Sequence, residues 1–295
     1  VGVAINKKIA ATFSEVMDPT TITTTTFTLK AGSLPISGTV TYAGLTATFT
    51  PSSPLAGNTI YTATITNGVK DLSGTAMLEN YVWFFNTGNG PDTTHPTVTS
   101  TYPFNGAAGA GVNIKITATF SEVMDPTTIN VLSFLLAQGA TPVPGTVTYG
   151  GRTATFTPIN FLAPNTLYTA TITTMVEDLA GNSMLLPYTW RFRTGAAPDS
   201  IHPTVSSTDP WNGATFVQIN KKIAATFSEA MDPHTISTAT FLLKQGNTPI
   251  AGTVTYAGIT ATFAPTMPLA NNTTYTATIT TGVKDLAGNA MLAPY

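Results

Sequence analysis

PLAGNTIYTATIT, residues 54–66, ends in a strict alternation that places Tyr61, Ala63 and Ile65 on one side and three threonines on the other. A period of two is typical of a β-strand with one buried and one solvated face. Threonine suits the solvated face because its branched β-carbon favours extended backbone while its hydroxyl meets water. The preceding segments GTVTYAG and TATFT alternate in the same way, which predicts further strands nearby.

The same block recurs every 107 residues, three times, without an insertion or deletion. Matching positions mark the period: Tyr61, Tyr168 and Tyr275; Phe13, Phe120 and Phe227; Asp71, Asp178 and Asp285. A fixed period indicates one structural unit used repeatedly, and a unit of this length is a domain rather than a solenoid repeat. We therefore predict domains at residues 1–90, 91–197 and 198–295. A single active site would be expected to break the repetition, so function must be sought in the array.

Each unit contains about seven predicted strands, separated by turn residues at the spacing of a β-sandwich. In the second repeat they lie near residues 97–101, 115–120, 133–137, 145–149, 153–157, 167–173 and 188–193. The MDPTTI motif and its copies interrupt this pattern with one predicted helical turn. Its expected N-caps, each followed by a proline at the first helical position, are Asp18, Asp125 and Asp232.

The segment PLAGNTIYTATI resembles the corner between strands E and F of immunoglobulin-like sandwiches. A tyrosine at that corner starts a strand and ties its hydroxyl to nearby backbone. Tyr61, Tyr168 and Tyr275 are the predicted corner residues. The fold class is then all-β, with three tandem immunoglobulin-like β-sandwiches. The short linkers from Thr87 and Thr194 predict closely coupled neighbouring domains.

The two ends of the sequence depart from the repeat. HPTVTSTYPFNGA and HPTVSSTDPWNGA precede the second and third repeats, but no counterpart precedes the first. YVWFFNTG and YTWRFRTG close the first two repeats, whereas the third stops at Tyr295, where its copy should begin. We expect one strand to be missing at each end. Either the sequence is a piece of a longer array, or partner chains supply these strands.

Composition narrows the classes of function. Charged residues make up 9% of the chain, against about 25% in ordinary soluble domains. The net charge is −2 without a basic block, which argues against nucleic-acid binding. No apolar stretch approaches the roughly 20 residues of a membrane span. The absence of cysteine excludes disulfides, thiolate metal sites and a cysteine nucleophile. Serine-nucleophile, H-E-x-x-H and phosphate-loop motifs are also missing, so we do not expect an enzyme.

Several motifs of the second repeat, in order, resemble those of a known family. They are PTVTSTYPFNGAAGAGVNIKITATFSEVMDPTTI, GTVTYGGRTATFTP, LAPNTLYTATITTMVEDLAGNSM and YTWRFRTG. The sequence is similar to the bacterial immunoglobulin-like domain of S-layer and surface proteins (the SbsA-type or Big_5 class), three times over. The resemblance implies an extracellular module strung in tandem, which acts as a spacer or stalk in S-layers, adhesins, ice-binding proteins and secreted enzymes. It provides no catalytic residues.

The leading hypothesis is therefore a non-catalytic spacer of a secreted or cell-surface bacterial protein, whose partners are its own neighbouring repeats. One alternative is a filament subunit, in which identical chains exchange strands at unpaired edges. Another is a glycan-binding adhesin that stacks sugar on Phe104 and Trp211, which share a turn at the predicted domain junctions. The competing interpretation of these two aromatic residues is packing against the preceding domain.

Carboxylates suggest calcium as the one candidate cofactor, since hard oxygen ligands can clamp a loop or a junction. Each repeat has a glutamate (Glu15, Glu122, Glu229), a capping aspartate and a turn aspartate (Asp71, Asp178, Asp285). Capping and Asx-turns explain these residues without a metal. Asp92 and Asp199, in the linkers, are the better candidates to complete a calcium site. His95 and His202 are expected to be linker residues that pack on the adjacent domain.

Overall fold

The computed structural model describes residues 2–295, which form an almost entirely β structure. The first repeat contains β1 (Ile9–Thr12), β2 (Phe27–Ala31), β3 (Leu34–Pro35), β4 (Gly38–Ala43), β5 (Thr46–Pro51), β6 (Ile60–Ile65) and β7 (Tyr81–Asn86). The second contains β8 (Val98–Tyr102), β9 (Ala107–Ala110), β10 (Ile116–Phe120), β11 (Phe134–Gln138), β12 (Thr141–Pro142), β13 (Gly145–Gly150), β14 (Thr153–Pro158), β15 (Leu167–Ile172) and β16 (Tyr188–Thr194). The third contains β17 (Val205–Asp209), β18 (Ile223–Phe227), β19 (Phe241–Gln245), β20 (Thr248–Pro249), β21 (Gly252–Ala257), β22 (Thr260–Pro265) and β23 (Thr276–Ile279).

The helical structure is confined to three short 3₁₀ turns: Pro19–Thr21, Pro126–Thr128 and Pro233–Thr235. They lie at the predicted MDPTTI motifs and follow the predicted capping aspartates. Over residues 2–295, none of the helices has the length and apolar character needed to cross a membrane.

Two sheets form the first repeat, in the orders β1-β5-β4 and β3-β2-β6-β7. All pairings within them are antiparallel. Phe27 of one sheet and Phe49 of the other meet in the core, with ring centroids 5.8 Å apart. This arrangement of apolar inner faces is a β-sandwich.

The third repeat has the same plan, with the orders β17-β18-β22-β21 and β20-β19-β23. Phe241 and Phe263 take the places of the first repeat's core pair, again 5.8 Å apart. Buried Leu243 and Ile279 belong to the same core cluster. The alternating apolar residues of each strand therefore produce the same core in both repeats.

The second repeat has the sheet orders β13-β14-β10-β8 and β12-β11-β15-β16-β9. All seven predicted strands are present, and the short strands β9 and β12 are additional. β9 pairs with β16 in parallel. The prediction of an all-β fold with tandem immunoglobulin-like sandwiches is confirmed.

The expected shortage of strands appears at two sheet edges. β8 and β17 cover β10 and β18, but within the described residues no strand covers the free edge of β1. Likewise, no full strand takes the place of β7 or β16 beside β23, where only Tyr295 bonds to Ile279. In the first repeat, where the edge of β1 is free, Trp83 of β7 is only partly buried. Its counterpart in the second repeat, Trp190 of β16, is 1% exposed.

Threonine does not always face solvent as expected. Thr46 and Thr48 of β5 are 6% and 2% exposed. β5 is the central strand of its sheet, so β1 and β4 flank both threonines. The hydroxyl of Thr46 lies 3.0 Å from that of Thr12, which satisfies it without water.

By its internal contacts the chain divides into two compact units. One comprises residues 1–98, 120–135 and 171–188, and the other comprises 99–119, 136–170 and 189–295. The division runs through the second repeat. Its segments 120–135 and 171–188 contain the 3₁₀ turn and the Asp178 loop, and they group with the first repeat.

Candidate functional site: two junction clamps

The capping aspartates use only one carboxylate oxygen for their own turn. Oδ1 of Asp125 accepts hydrogen bonds from the backbone N–H (2.9 Å) and the hydroxyl (2.7 Å) of Thr127. Oδ1 of Asp232 accepts from His234 N at 3.1 Å. This local capping follows from the sequence, and it leaves Oδ2 of each aspartate available to another group.

A lysine from the preceding repeat binds that second oxygen. Lys8, immediately before β1, pairs with Oδ2 of Asp125, and Lys115, immediately before β10, pairs with Oδ2 of Asp232 at 2.5 Å. Both aspartate side chains are almost fully buried. These pairs were not predicted, because the partners are 117 residues apart in sequence and belong to different repeats.

The pKa values of the two aspartates show the effect of their partners. Burial raises the pKa of Asp125, but hydrogen bonds from Lys8 and Thr127 outweigh burial and hold the pKa below its ordinary value. Burial likewise raises the pKa of Asp232, and hydrogen bonds from His234 and Lys115 bring it down to about 2. Both carboxylates are therefore ionised at neutral pH, as an ion pair requires.

Backbone and amide contacts extend each clamp. The N–H of Lys8 donates to Leu179 O at 2.7 Å. The side chain of Asn6 donates to Asp92 O (3.1 Å) and Ala180 O (3.3 Å) and accepts from Asp92 N (2.8 Å). Asn6 thus joins the start of the first repeat to both the linker and a loop of the second repeat.

The second clamp repeats these contacts. Lys115 N donates to Leu286 O at 2.9 Å. Asn113 donates to Asp199 O (3.1 Å) and Ala287 O (3.4 Å), and accepts from Asp199 N (2.8 Å). We name the two sets the junction clamps, and every contact of the first has a counterpart one period later in the second.

The turn aspartates shape the loop that each clamp holds. Oδ1 of Asp178 accepts from Ala180 N (2.7 Å) and Asn182 N (2.9 Å), and Oδ2 accepts from Asn182 Nδ2 (2.8 Å). Asp285 makes the same three bonds with Ala287 and Asn289. Both aspartates are 1% exposed, so these internal bonds replace the lost hydration.

The linker histidines also contact the loop. Nδ1 of His95 lies 2.7 Å from Ser183 O, and Nδ1 of His202 lies 2.7 Å from Ala290 O. A carbonyl oxygen can only accept, so Nδ1 carries the proton in both rings. The histidines thus hold the linker against the loop.

Each junction also brings three carboxylates together, and these include the linker aspartates. The carboxylate oxygens of Asp92, Glu122 and Asp178 lie within 4.8 Å of one another, as do those of Asp199, Glu229 and Asp285. Such hard oxygen ligands suit Ca²⁺. However, the turn aspartate in each cluster already accepts three hydrogen bonds, which reduces the lone pairs that it can offer a metal.

When all three carboxyl groups of a cluster are ionised, their negative charges repel one another. Burial raises the pKa of Glu229 to about 7, with further increases from Asp285 and Asp199 that His202 partly offsets. Burial, Asp178 and Asp92 raise the pKa of Glu122 in the same way. The second cluster therefore carries less than its full negative charge near neutral pH, because Glu229 is partly protonated there.

The predicted corner tyrosines lie outside the clamps. The hydroxyls of Tyr61, Tyr168 and Tyr275 accept hydrogen bonds of 2.8 Å from Ala56 N, Ala163 N and Ala270 N. In each case the acceptor lies five residues after its donor, which ties the start of a strand to the turn before it.

The junction aromatics Phe104 and Trp211 are each 68% exposed. Both residues are therefore largely open to solvent. Asp18, the first capping aspartate, accepts from Thr20 N but has no lysine partner within residues 2–295.

Comparison with known proteins gives low structural similarity and one family match. The N-terminal part of the bacterial S-layer protein SbsC is 15% identical over 62% of this chain and 44% of its own, with a TM-score of 0.30. The insect immune protein hemolin is 11% identical over 94% of this chain and 72% of its own, with a TM-score of 0.23. The chain thus spans less than half the length of the S-layer structure. No curated protein matches the sequence.

The family model described as the bacterial Ig-like domain matches residues 1–87, 92–194 and 199–295. These three matches include nearly the whole sequence. The chain therefore belongs to the bacterial Ig-like domain family and consists of three tandem copies of that domain.

Proposed function

We propose that the chain is a non-catalytic structural spacer of a secreted or cell-surface bacterial protein, with domains at residues 1–90, 91–197 and 198–295. The observation that carries this proposal is the recurrence of the junction clamp. Lys8–Asp125 and Lys115–Asp232 occupy equivalent positions at the two junctions. A spacer keeps the segments at its two ends at a fixed distance and orientation, which requires a defined geometry at each junction.

The clamps supply that geometry through several contacts of different kinds. Each combines a largely buried ion pair, one backbone hydrogen bond and the bonds of an asparagine side chain. Loss of one member of a largely buried pair leaves the other charge without its partner, so replacing either residue should weaken the junction. Hydrogen bonds also depend on direction, so they restrict rotation as well as distance.

Small-angle X-ray scattering of the whole chain tests the proposal. The quadruple variant Asn6→Ala, Lys8→Ala, Asn113→Ala and Lys115→Ala removes the side chains of both clamps. We expect scattering from a broader range of conformations than in the wild type, with an unchanged β-sheet signal in circular dichroism. Lys30→Ala together with Lys244→Ala is the matched control, since both lysines are exposed strand residues at equivalent positions of the first and third repeats. Identical scattering of wild type and clamp variant would show that the clamps do not hold the junctions, and it would remove the observation that carries the proposal.

A second candidate function, a filament subunit that accepts a strand from another chain, is favoured by a groove in the first repeat. The groove has a volume of about 520 Å³ and lies along the free edge of β1. Trp83 and Tyr81 of β7 line its opposite side. An unpaired edge beside an apolar groove is the arrangement that strand addition uses.

A peptide with the sequence of residues 96–103, PTVTSTYP, tests this second candidate. The corresponding segment covers β10 in the second repeat. Binding at β1 would bury Trp83 and shift its fluorescence to shorter wavelength, and Trp83→Phe would abolish the signal change. A peptide with scrambled sequence is the control. Absence of saturable binding would exclude strand addition at this edge.

A further inference from the structure

An open groove lies on the second repeat, between β12 and the loop that leads into β15. Its volume is about 300 Å³, at the lower end of the range for small-ligand pockets. It is lined by Pro142 of β12, by Phe161 of the loop and by the corner residue Tyr168. All of its lining residues fall within residues 138–168, so one repeat forms the groove without its neighbours.

The sequence departs from the repeat at this groove. Two of the lining residues, Asn160 and Phe161, occur at their positions in the second repeat alone. The equivalent pairs are Ser53 with Pro54 in the first repeat and Met267 with Pro268 in the third. The next residue, Leu162, is buried, and both other repeats also have leucine there. The two changes therefore alter the surface of the groove and keep the framework beneath it.

Phe161 gives the groove an accessible aromatic ring. Its side chain is 70% exposed, so most of the ring remains open to a ligand. An aromatic ring presents a flat face with partial negative charge, which the proline of the other two repeats does not offer. The second repeat thus has a stacking surface where its neighbours have none.

The polar side chains of the groove are uncharged. They belong to Gln138, Thr141 and Asn160, and no charged side chain lines the groove among the described residues. The amides of Gln138 and Asn160 are exposed and have no hydrogen-bond partner within residues 2–295, and each can both donate and accept. A charged ligand would lose hydration here without gaining a countercharge. The groove therefore favours a neutral ligand whose groups donate and accept hydrogen bonds.

We propose that this groove binds a neutral carbohydrate, with a sugar ring stacked on Phe161 and its hydroxyl groups bonded to the amides of Gln138 and Asn160. The negative face of the aromatic ring attracts the weakly positive C–H groups of a pyranose. The hydroxyl groups of the sugar donate and accept, as the amides do. A proline-rich peptide, the other neutral ligand of aromatic grooves, offers mainly carbonyl acceptors and would leave the amide oxygens unused.

This carbohydrate site adds a ligand to the proposed spacer and includes no residue of the junction clamps. One ring and two amides make few contacts, so we expect a dissociation constant on the order of millimolar.

Saturation-transfer NMR of the whole chain with cellobiose, lactose and N,N′-diacetylchitobiose tests the proposal. We expect transfer to the ring C–H protons of at least one of these neutral probes. Phe161→Pro introduces the residue of the other two repeats, which suits the local backbone, and should weaken binding by about five- to tenfold. Asn160→Ser should weaken it by about three- to fivefold through loss of the amide. Phe104→Ala and Trp211→Ala are the controls and should bind as the wild type does.

The third repeat allows a test by gain of binding. Three lining residues of the groove already have identical counterparts there: Gln245, Thr248 and Pro249. Met267→Asn with Pro268→Phe, made in the Phe161→Pro chain, should therefore restore binding of the same probe. Circular dichroism checks that each variant keeps its β-sheet signal.

The proposal is overturned if none of the three probes receives saturation, if Phe161→Pro binds as tightly as the wild type, or if the substitutions in the third repeat restore nothing. Transfer that Trp211→Ala abolishes would place the sugar at the junction aromatics instead. Binding of octaproline without binding of any sugar would assign the groove to a peptide. These outcomes leave the clamps untouched, since scattering of the clamp variant tests the spacer separately.

Discussion

Replacement of Lys115 by methionine should loosen the turn that Asp232 caps. The side chains of Lys115 and Asp232 are 32% and 7% exposed, so their ion pair is largely shielded from water. The pKa of Asp232 is about 2, below an ordinary value of 3.8. This difference corresponds to about 2 kcal/mol of net stabilisation of the carboxylate, to which His234 also contributes. Because Met keeps the length and apolar stem of Lys, the variant isolates the loss of charge.

Hydrogen exchange measured by mass spectrometry follows this change locally. The N–H groups of His234, Thr235 and Ile236 bond to the capped turn. The variant keeps the hydrogen bond from His234, so it should lose only part of this stabilisation, and these amides should exchange faster at pH 7 by up to about 30-fold. The equivalent turn beginning at Pro19, whose cap has no lysine, should not change. Lys244→Met is the control variant, and equal exchange in Lys115→Met and wild type would refute the reasoning.

The same pair has a defined pH dependence. A carboxylate whose pKa is lowered by folding stabilises the fold above its unfolded pKa, and this contribution is lost as pH falls through the folded value. For Asp232 the window runs from about 4 down to about 2. The difference in thermal stability between Lys115→Met and wild type should therefore be full at pH 7 and should vanish towards pH 2.

The remaining predictions concern other residues. Tyr168→Phe should lower the melting midpoint through loss of about 1 kcal/mol, one hydrogen bond, whereas Tyr81→Phe at a 59% exposed position should not; an unchanged midpoint in Tyr168→Phe contradicts the corner role. Burial and neighbouring carboxylates raise the pKa of Glu229 to about 7, so its contribution to stability falls as pH rises from about 4.5 through 7. In Glu229→Gln the melting midpoint should therefore depend less on pH over this range. Glu15→Gln, which lies outside any described carboxylate cluster, should not have this effect. Ca²⁺ at pH 8 should raise the midpoint of wild type but not of Glu229→Gln if the cluster binds the ion, and equal shifts in both exclude it. Glycan arrays test the adhesin alternative: only sugar retention by wild type that Trp211→Ala abolishes would support it.

The sequence was most informative where structure is local. The alternation of Tyr61, Ala63 and Ile65 predicted β6, since the period of a strand depends only on neighbouring residues. The aspartate and proline of MDPTTI likewise predicted a capped turn, because a cap acts within three residues. Asp92, named from the sequence as a candidate to complete a calcium site, lies beside Glu122 and Asp178, whereas calcium binding itself stays a prediction.

Contacts between repeats could not be predicted in this way. Nothing in the residues around Lys8 identifies Asp125 as its partner, because the pair forms only when two folded domains meet. The same limit applies to burial: Leu72 and Leu179 occupy equivalent positions in their loops, yet one is 70% exposed and the other 5%. Sequence periodicity describes a repeat by itself, and it does not show which of its surfaces a neighbour covers.

The clamps offer a physical reason for the strict period of the sequence. Each clamp joins three separate segments: the residues before the first strand of one repeat, the linker, and the turn and loop of the next repeat. A one-residue insertion in a strand would reverse the facing of its side chains and move the end of that strand relative to its loop. Asn6 would then fail to reach Asp92 and Ala180 together, because its hydrogen bonds to them are only 2.8 to 3.3 Å long. An insertion in a strand between these segments would therefore disturb the junction as well as the core, so the junctions add a constraint on repeat length to that of the individual domains.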